Sequence, residues 1–353
     1  MARSMALEPD VIVNECFARD GLQNEPDFLP TKTKIALLDR FTALGFRRIE
    51  ATSYSHPRLV PQFADADAVL AGMTRAEGVH YKATCANLRA VERANAAFDQ
   101  GAGATEISLL ASASDAHSER NLRATRAEQW ERIAAMSAAA GTRYRIIGSL
   151  SVAFGCPFSG AVAPQTVLAD CRRFADLGIR WVSLGDTTGT ATPDQVEALV
   201  SLLRATLPQV TFIAHFHDSR GLGIANCLAA YRAGCRHFDA SFGGAGGHPA
   251  KISYGSGYTG NVATEDLVNM FEAMGINTGL ALADLLETAR ACEAALGRAL
   301  HGRTTRSGLS PLLRIPASAW PPAPDHATRP SATRPTAAVR NARGCQPPED
   351  PCP

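Results

Sequence analysis

Val210-Thr211-Phe212-Ile213-Ala214-His215-Phe216-His217-Asp218 carries an apolar run into a polar exit. The run has the length and character of a buried strand. Side chains alternate faces along a strand, so His215 and His217 point the same way. Two imidazoles on one face, where an apolar strand ends, can grip one divalent cation. The same pair also fits a packed core histidine followed by a loop cap. The rest of the chain decides between the two.

Outward from this stretch, apolar runs alternate with helical periodicity in eight rounds. Val11-Ile12-Val13 is the first strand, and a helix over 32–44 follows it and stops at Gly45. Further strands are expected at 48–52, 80–85, 105–110, 145–152, 181–184, 210–214 and 237–241. Helices are expected between them at 57–70, 88–98, 123–140 and 164–177, then from Thr192-Pro193, and at 223–233. A glycine-rich loop and a helix over 264–274 close the eighth round. Eight strand–helix rounds within roughly 270 residues predict a (β/α)8 TIM barrel. An open doubly wound sheet would show G-x-G-x-x-G after the first strand, and the sequence has none there. Extra helices are expected over 280–300. From 304 onward Pro, Ala, Arg and Ser dominate. The expected organisation is therefore a barrel domain with C-terminal helices over 1–303 and a tail over 304–353, disordered from about residue 311.

The composition sets the class. Among 353 residues, 46% are apolar and 20% charged, as in a soluble globular protein with a sizeable core. A formal charge of +1 gives no reason to expect nucleic acid or an anionic membrane surface as partner. No apolar run is long enough to span a bilayer, and the first ten residues lack the apolar centre of a secretory signal. Nine cysteines are scattered without a C-x-x-C, and their number is odd. That pattern predicts no disulfide framework and a reducing cytoplasm. The expected partner is a small-molecule substrate, and the expected assembly a homo-oligomer, a dimer in the simplest case.

In barrels of this kind the working residues stand at the C-terminal ends of the strands. Strand one delivers Arg19-Asp20-Gly21-Leu22-Gln23, strand two Glu50-Ala51-Thr52-Ser53, and strand six Gly185-Asp186-Thr187. Strand seven delivers His215 and His217, and the loop after strand eight delivers Asn261. A carboxylate, two imidazoles and an amide oxygen suit Mg²⁺ or Mn²⁺ with open positions. They suit a closed zinc site poorly, because no thiolate is among them.

In this order, Arg-Asp-Gly-Leu-Gln, Glu-Ala-Thr-Ser, Gly-Asp-Thr-x-Gly, His-Phe-His-Asp and Thr-Gly-Asn-Val-Ala-Thr-Glu-Asp-Leu-Val, the chain resembles the hydroxymethylglutaryl-CoA lyase family. That family belongs to the wider group of metal-dependent barrel lyases and Claisen-type synthases. The resemblance runs over about 14–308. It implies that Asp20, His215, His217 and Asn261 hold a divalent cation, with Glu50 supporting the site. It implies that Arg19 stabilises an enolate oxygen, as a fixed guanidinium aimed at developing charge can. Gln23 and Thr187 would line the pocket. Asp186 would either act on the substrate hydroxyl or steady a metal-bound histidine. The implied reaction is retro-Claisen cleavage of a 3-hydroxyacyl-CoA to acetyl-CoA and a keto acid. Two alternatives stay open: a condensing enzyme or aldolase of the same group acting on a 2-oxo acid, and a barrel that binds metal and ligand without catalysis.

One departure bears on substrate. The family carries a Cys, the presumed general acid, in a Gly-Gly-Cys-Pro loop, whereas this chain has Gly246-Gly247-His248-Pro249. The stretch from there to Asn261 is longer by about four residues, and none of the nine cysteines falls in it. Either His248 replaces the acid, since imidazole titrates near working pH, or Tyr254 or Tyr258 serves, or the acid is gone. Lys251 and Arg47-Arg48 are the basic residues considered for CoA phosphates, although Arg47-Arg48 also fits a solvated strand start.

Overall fold

The computed structural model describes residues 8–247 and 259–309. Eight parallel strands close into a barrel in chain order. They are β1 (Ile12–Glu15), β2 (Arg48–Ser53), β3 (His80–Cys85), β4 (Glu106–Ser112), β5 (Arg145–Ser151), β6 (Trp181–Asp186), β7 (Thr211–Phe216) and β8 (His237–Ala240). Closure comes from β1 against β8, with Ile12 opposite His237 and Val13 opposite Phe238. The helices that follow the strands in turn begin with α1 (Thr31–Ala43), α2 (Ala66–Gly72), α3 (Leu88–Asp99), α4 (Asp115–Leu122) and α5 (Arg126–Ala140). They continue with α6 (Pro164–Asp176), α7 (Pro193–Thr206), α8 (Gly223–Arg232) and α9 (Thr264–Ala273). Two more, α10 (Leu282–Leu296) and α11 (Arg303–Ser307), come after the last barrel round. The expected TIM barrel is the observed fold.

The strands obey a two-residue period, and that period sorts the barrel into an apolar outer shell and a polar interior. Ile49, Ala51, Tyr81, Ala83, Ile107, Leu109, Val182, Leu184, Phe212, Ala214 and Phe238 are buried members of the shared core. At Gly148 the β5 backbone meets the Phe174 ring of α6 so closely that a Cβ would lie 2.6 Å from it. The alternate residues carry charge and hydroxyls. At the lower end of the barrel, Arg48 grips Glu106 with Nη2 at 2.8 Å and Nε at 3.1 Å, and Arg145 Nη1 reaches the other Glu106 oxygen at 2.8 Å. The Trp181 ring lies 4.6 Å from the Arg145 guanidinium. Arg48 is therefore a buried ion-pair residue rather than part of a solvated strand start. The exposed Arg47 pairs with Glu8. Both stand where β2 begins, at the end of the barrel away from His215 and His217.

Three differences from the sequence expectation have local causes. Residues 57–70 do not form one helix. Pro61 opens a short 3-10 turn, Pro61–Phe63, and α2 starts only at Ala66; the residue before a proline is pushed out of the helical region. The helix expected over 123–140 is the second of two. Arg123 adopts a left-handed conformation with φ 52° that ends α4, and Thr125 with Glu128 forms a capping box that starts α5. Finally, α11 crosses the expected boundary at 304. Thr304 N donates to Asp266 at 2.6 Å and Thr305 Oγ1 to Glu265 at 2.8 Å, which docks this helix on α9. The tail from 310 lies outside the described residues, as do His248, Lys251, Tyr254 and Tyr258. The described residues fall within one unit, Met1–Pro311; the other, Leu312–Pro353, lies outside them. Among the described residues no helix is long and apolar enough to cross a membrane. The seven cysteines among them are free and buried.

Candidate metal centre at the C-terminal end of the barrel

β7 ends at Phe216, and the strand alternation aims both flanking imidazoles into the barrel mouth. His215 Nε2 and His217 Nε2 lie 3.3 Å apart. Each is 3.8 Å from Asp20 Oδ2. The other ring nitrogens settle which atoms bear hydrogen. His215 Nδ1 donates to Asp239 Oδ2 at 3.1 Å, and His217 Nδ1 donates to the Thr259 carbonyl. A carboxylate and a carbonyl only accept, so both Nε2 atoms turn bare lone pairs toward one point. A carboxylate oxygen faces the same point. Three electron pairs so placed repel one another unless an electrophile lies among them. Among the described residues, Asp20, His215 and His217 are the one cluster of His, Cys, Asp or Glu able to share a metal ion.

Asp20 comes from an irregular element. After β1 the chain makes a π-helical turn, Phe17–Gly21, which carries both Arg19 and Asp20. Such turns are rare and collect at functional sites. Glu15 ties this turn to the segments that follow the neighbouring strand β8. Its Oε1 accepts from Phe17 N at 2.8 Å and Phe242 N at 3.1 Å, and its Oε2 from Thr264 Oγ1 at 2.6 Å. Burial pushes the Glu15 carboxyl up to about 8, and the Thr264 hydroxyl works against that.

Arg19 is the hinge of the electrostatics. Its Nη1 meets Asp20 Oδ1 at 2.5 Å and its Nε meets Glu50 Oε1 at 2.7 Å. Burial pushes the Asp20 carboxyl up, but Arg19, His215 and His217 together bring it down to about 2. Glu50 is fully buried and also accepts from Thr84 Oγ1 at 2.7 Å. Burial opposes its ionisation too; Arg19 and Lys82 hold it below the usual carboxylate range. Burial drives the His217 imidazole down to about 4. Burial acts the same way on His215, but its bond to Asp239 prevails and holds it above its ordinary value. A proton and a divalent cation would compete for the same place between the two rings.

The remaining candidates divide. Asn261 is held beside His217 by a bridge between the two residues. Its amide nitrogen donates to Asp20 Oδ2 at 2.7 Å and to the Ala245 carbonyl at 3.0 Å. In this arrangement it braces Asp20. Gly246 makes room for it, since a Cβ there would stand 2.2 Å from the amide nitrogen. Gln23 and Thr187 line the cavity. Thr187 Oγ1 also accepts from Val152 N at 2.9 Å, and so clamps a β-branched residue at the unfavourable φ of 54°. Asp186 does not line the cavity. Its two carboxylate oxygens accept from Thr190 N at 2.9 Å and Ala191 N at 3.1 Å. That turn contains Gly189, whose φ of 62° brings it against the His217 carbonyl, 2.7 Å from where a Cβ would stand.

Three residues escape a reading of strand ends alone: Asp239, Lys82 and Glu15. Asp239 fixes the His215 tautomer, and Asn14 Nδ2 at 2.7 Å and Ser183 Oγ at 3.2 Å fix Asp239 in turn. Lys82 Nζ lies 3.4 Å from Glu50 Oε2. All of these except Glu15 border a cavity of about 440 Å³ or touch a residue that does, and its rim includes Arg120, Arg123, His56 and Asn87. That volume suits a small organic ligand.

The HMGL-like family model matches residues 11–292. A hydroxymethylglutaryl-CoA lyase of Pseudomonas mevalonii is 40% identical over 294 residues, which is 83% of this chain and 95% of that protein. An (R)-citramalyl-CoA lyase of Chloroflexus aurantiacus is 36% identical over 311 residues, or 84% of this chain and 95% of that one. The solved structure of an HMG-CoA lyase from Acinetobacter baumannii, in complex with coenzyme A and 3-methylmalate, superposes with a TM-score of 0.79 at 37% identity. It covers 87% of this chain and 98% of that one.

Proposed function

The chain belongs to the HMGL-like family, and we propose that it is a divalent-cation-dependent lyase acting on a 3-hydroxyacyl-CoA. It breaks the carbon–carbon bond beside the hydroxyl-bearing carbon and releases acetyl-CoA and a keto acid. The observation that supports this reading is the convergence of the His215, His217 and Asp20 lone pairs beside the Arg19 guanidinium. The relatives named as lyases of hydroxymethylglutaryl-CoA and citramalyl-CoA supply the substrate class.

Asp20, His215 and His217 hold the cation, Mg²⁺ or Mn²⁺. Asn261 braces Asp20 and offers its amide oxygen as a fourth donor. A cation bound there lowers the pKa of a substrate hydroxyl and polarises a neighbouring oxygen. Asp239 and the Thr259 carbonyl keep both imidazoles in the tautomer that leaves Nε2 bare. Arg19, fixed at two corners by Asp20 and Glu50, turns its remaining N–H groups to the oxygen that gains charge as the bond breaks. Glu50 steadies Arg19. Asp186 acts through the turn it caps behind His217, and Gln23 and Thr187 shape the cavity wall. The hydroxyl proton passes to water as the bond breaks, and His248, outside the described residues, donates a proton to the carbon that the broken bond leaves behind.

The test is acetyl-CoA release from a panel of 3-hydroxyacyl-CoAs that includes hydroxymethylglutaryl-CoA and citramalyl-CoA. Turnover is expected with Mg²⁺ or Mn²⁺ and none after chelation. Failure across the whole panel with metal present overturns the reading. In the same assay His248→Gln is expected to lower turnover by about 10²-fold, the scale of one general acid, with cation affinity unchanged. Unaltered turnover would remove His248 from the chemistry.

A further inference from the structure

A buried cation stands on the cavity wall without a task in that scheme. Lys82 projects inward from the middle of β3 and is 2% exposed. Yet it borders the cavity, together with Thr84, Ser149, Ser151 and Ser183. Ser149 and Ser151 lie on β5 on either side of the buried Leu150, Ser149 inside the strand and Ser151 at its last position, and both are partly exposed. This is the signature of side chains that face an open space inside the barrel.

The charge of Lys82 is loosely matched. Among the described residues its one carboxylate neighbour within ion-pair distance is Glu50, at 3.4 Å. A charge-assisted bond of full strength is about 2.7–2.9 Å long. Glu50 shares its single negative charge with Arg19: Arg19 and the Thr84 hydroxyl both meet Oε1 at 2.7 Å, and Oε2 alone is left facing Lys82. Asp239, the other nearby acid, is taken up by Asn14, Ser183 and His215. A buried ammonium so placed gains from any anion that enters beside it, because a buried charge is stable only with partners close at hand. The hydroxyls along β5 and β6 offer the same visitor neutral hydrogen bonds.

We infer that Lys82 is a specificity-determining residue whose ammonium receives a free carboxylate on the acyl chain of the substrate. The inference rests on the acyl-CoA reading above, whose keto-acid product already requires a carboxylate on the acyl group, and assigns that carboxylate its partner inside the barrel.

The experiment compares two unreactive thioesters of equal carbon number, glutaryl-CoA and pentanoyl-CoA, by calorimetric titration of the Mg²⁺-loaded full chain. The wild type is expected to bind glutaryl-CoA at least about tenfold more tightly, the scale of one hydrogen bond to a charged group. In Lys82→Met that ratio is expected to fall to near one with pentanoyl-CoA affinity kept, and in Lys82→Arg to recover in part. A wild type that binds both thioesters equally overturns the inference and leaves the acyl-CoA reading standing. A wild type that binds neither overturns both. A preference that persists in Lys82→Met, or affinities that fall alike for both thioesters, assigns Lys82 to structure alone. If Lys82→Met does not fold, Lys82→Gln replaces it: a ratio near one is expected, and a persisting preference overturns the inference.

Discussion

His217→Ala is expected to abolish tight cation binding and to lower kcat by about 10³-fold or more, with the barrel intact. The cation is asked for several kcal/mol of barrier reduction, and each factor of ten in rate is about 1.4 kcal/mol. His217 is one of two imidazoles whose bare Nε2 atoms face each other across 3.3 Å, so its loss would leave the cation with one imidazole, one carboxylate and the Asn261 amide oxygen. The structural cost is small by comparison. His217 follows the last residue of β7 and takes no part in the barrel ladder. Its removal strands the Thr259 carbonyl, a loss of about 1–3 kcal/mol for a buried acceptor. It also relieves the apposition of two lone pairs. Manganese titration, kcat and a thermal melt on one preparation separate these effects. Wild-type activity in this variant would sink the site assignment, and a collapsed melt would show that His217 holds the fold.

Much of this centre is legible in the chain because a barrel strand advertises its own end. Apolar alternation breaks into polar residues where the strand leaves the core, which is how Asp20, His215 and His217 stand out. The residues that a search of strand ends misses sit inside strands. Lys82 lies between buried Tyr81 and Ala83, and Asp239 between Phe238 and Ala240. A charged residue at every second position of a buried strand is the available signal. Arg48-Ile49-Glu50 and His80-Tyr81-Lys82 both carry it. The signal is easily overlooked because aliphatic side chains ordinarily fill the interior of such barrels. The same alternation places Asp186. Ser183, Gly185 and Thr187 border the cavity, so their neighbours Leu184 and Asp186 face the other way. Sequence position alone groups Asp186 with the site, whereas the two-residue period separates it. The π-helical turn that carries Arg19 and Asp20 has no comparable signature, since it depends on Glu15 reaching Phe242 and Thr264 more than two hundred residues away.

Arg19→Lys is expected to lower kcat by about 10²-fold or more, the scale of one lost donor to a developing oxyanion, while cation affinity stays within a few-fold of wild type. The guanidinium is a planar fork that meets Asp20 Oδ1 and Glu50 Oε1 together. An ammonium cannot hold both and still present a fixed donor to the substrate. Keeping the positive charge matters for the test. A neutral residue here would leave Glu50, which is fully buried, with only Lys82 at 3.4 Å and the Thr84 hydroxyl. Removing one partner of a buried pair costs about 3–5 kcal/mol, and a misfolded protein would then imitate a catalytic defect. The direction for the cation follows from the charges. Arg19 neutralises part of Asp20, so weakening that contact makes the carboxylate a stronger ligand. A fall in cation affinity is therefore the wrong sign for this variant. Single-turnover cleavage at saturating Mg²⁺, with a parallel manganese titration, reads the two quantities apart. If more cation restores the rate, Arg19 serves cation binding and the enolate has some other partner. If the rate stays low with the cation site full, the loss lies in the chemical step, where a guanidinium fixed between two carboxylates has its effect.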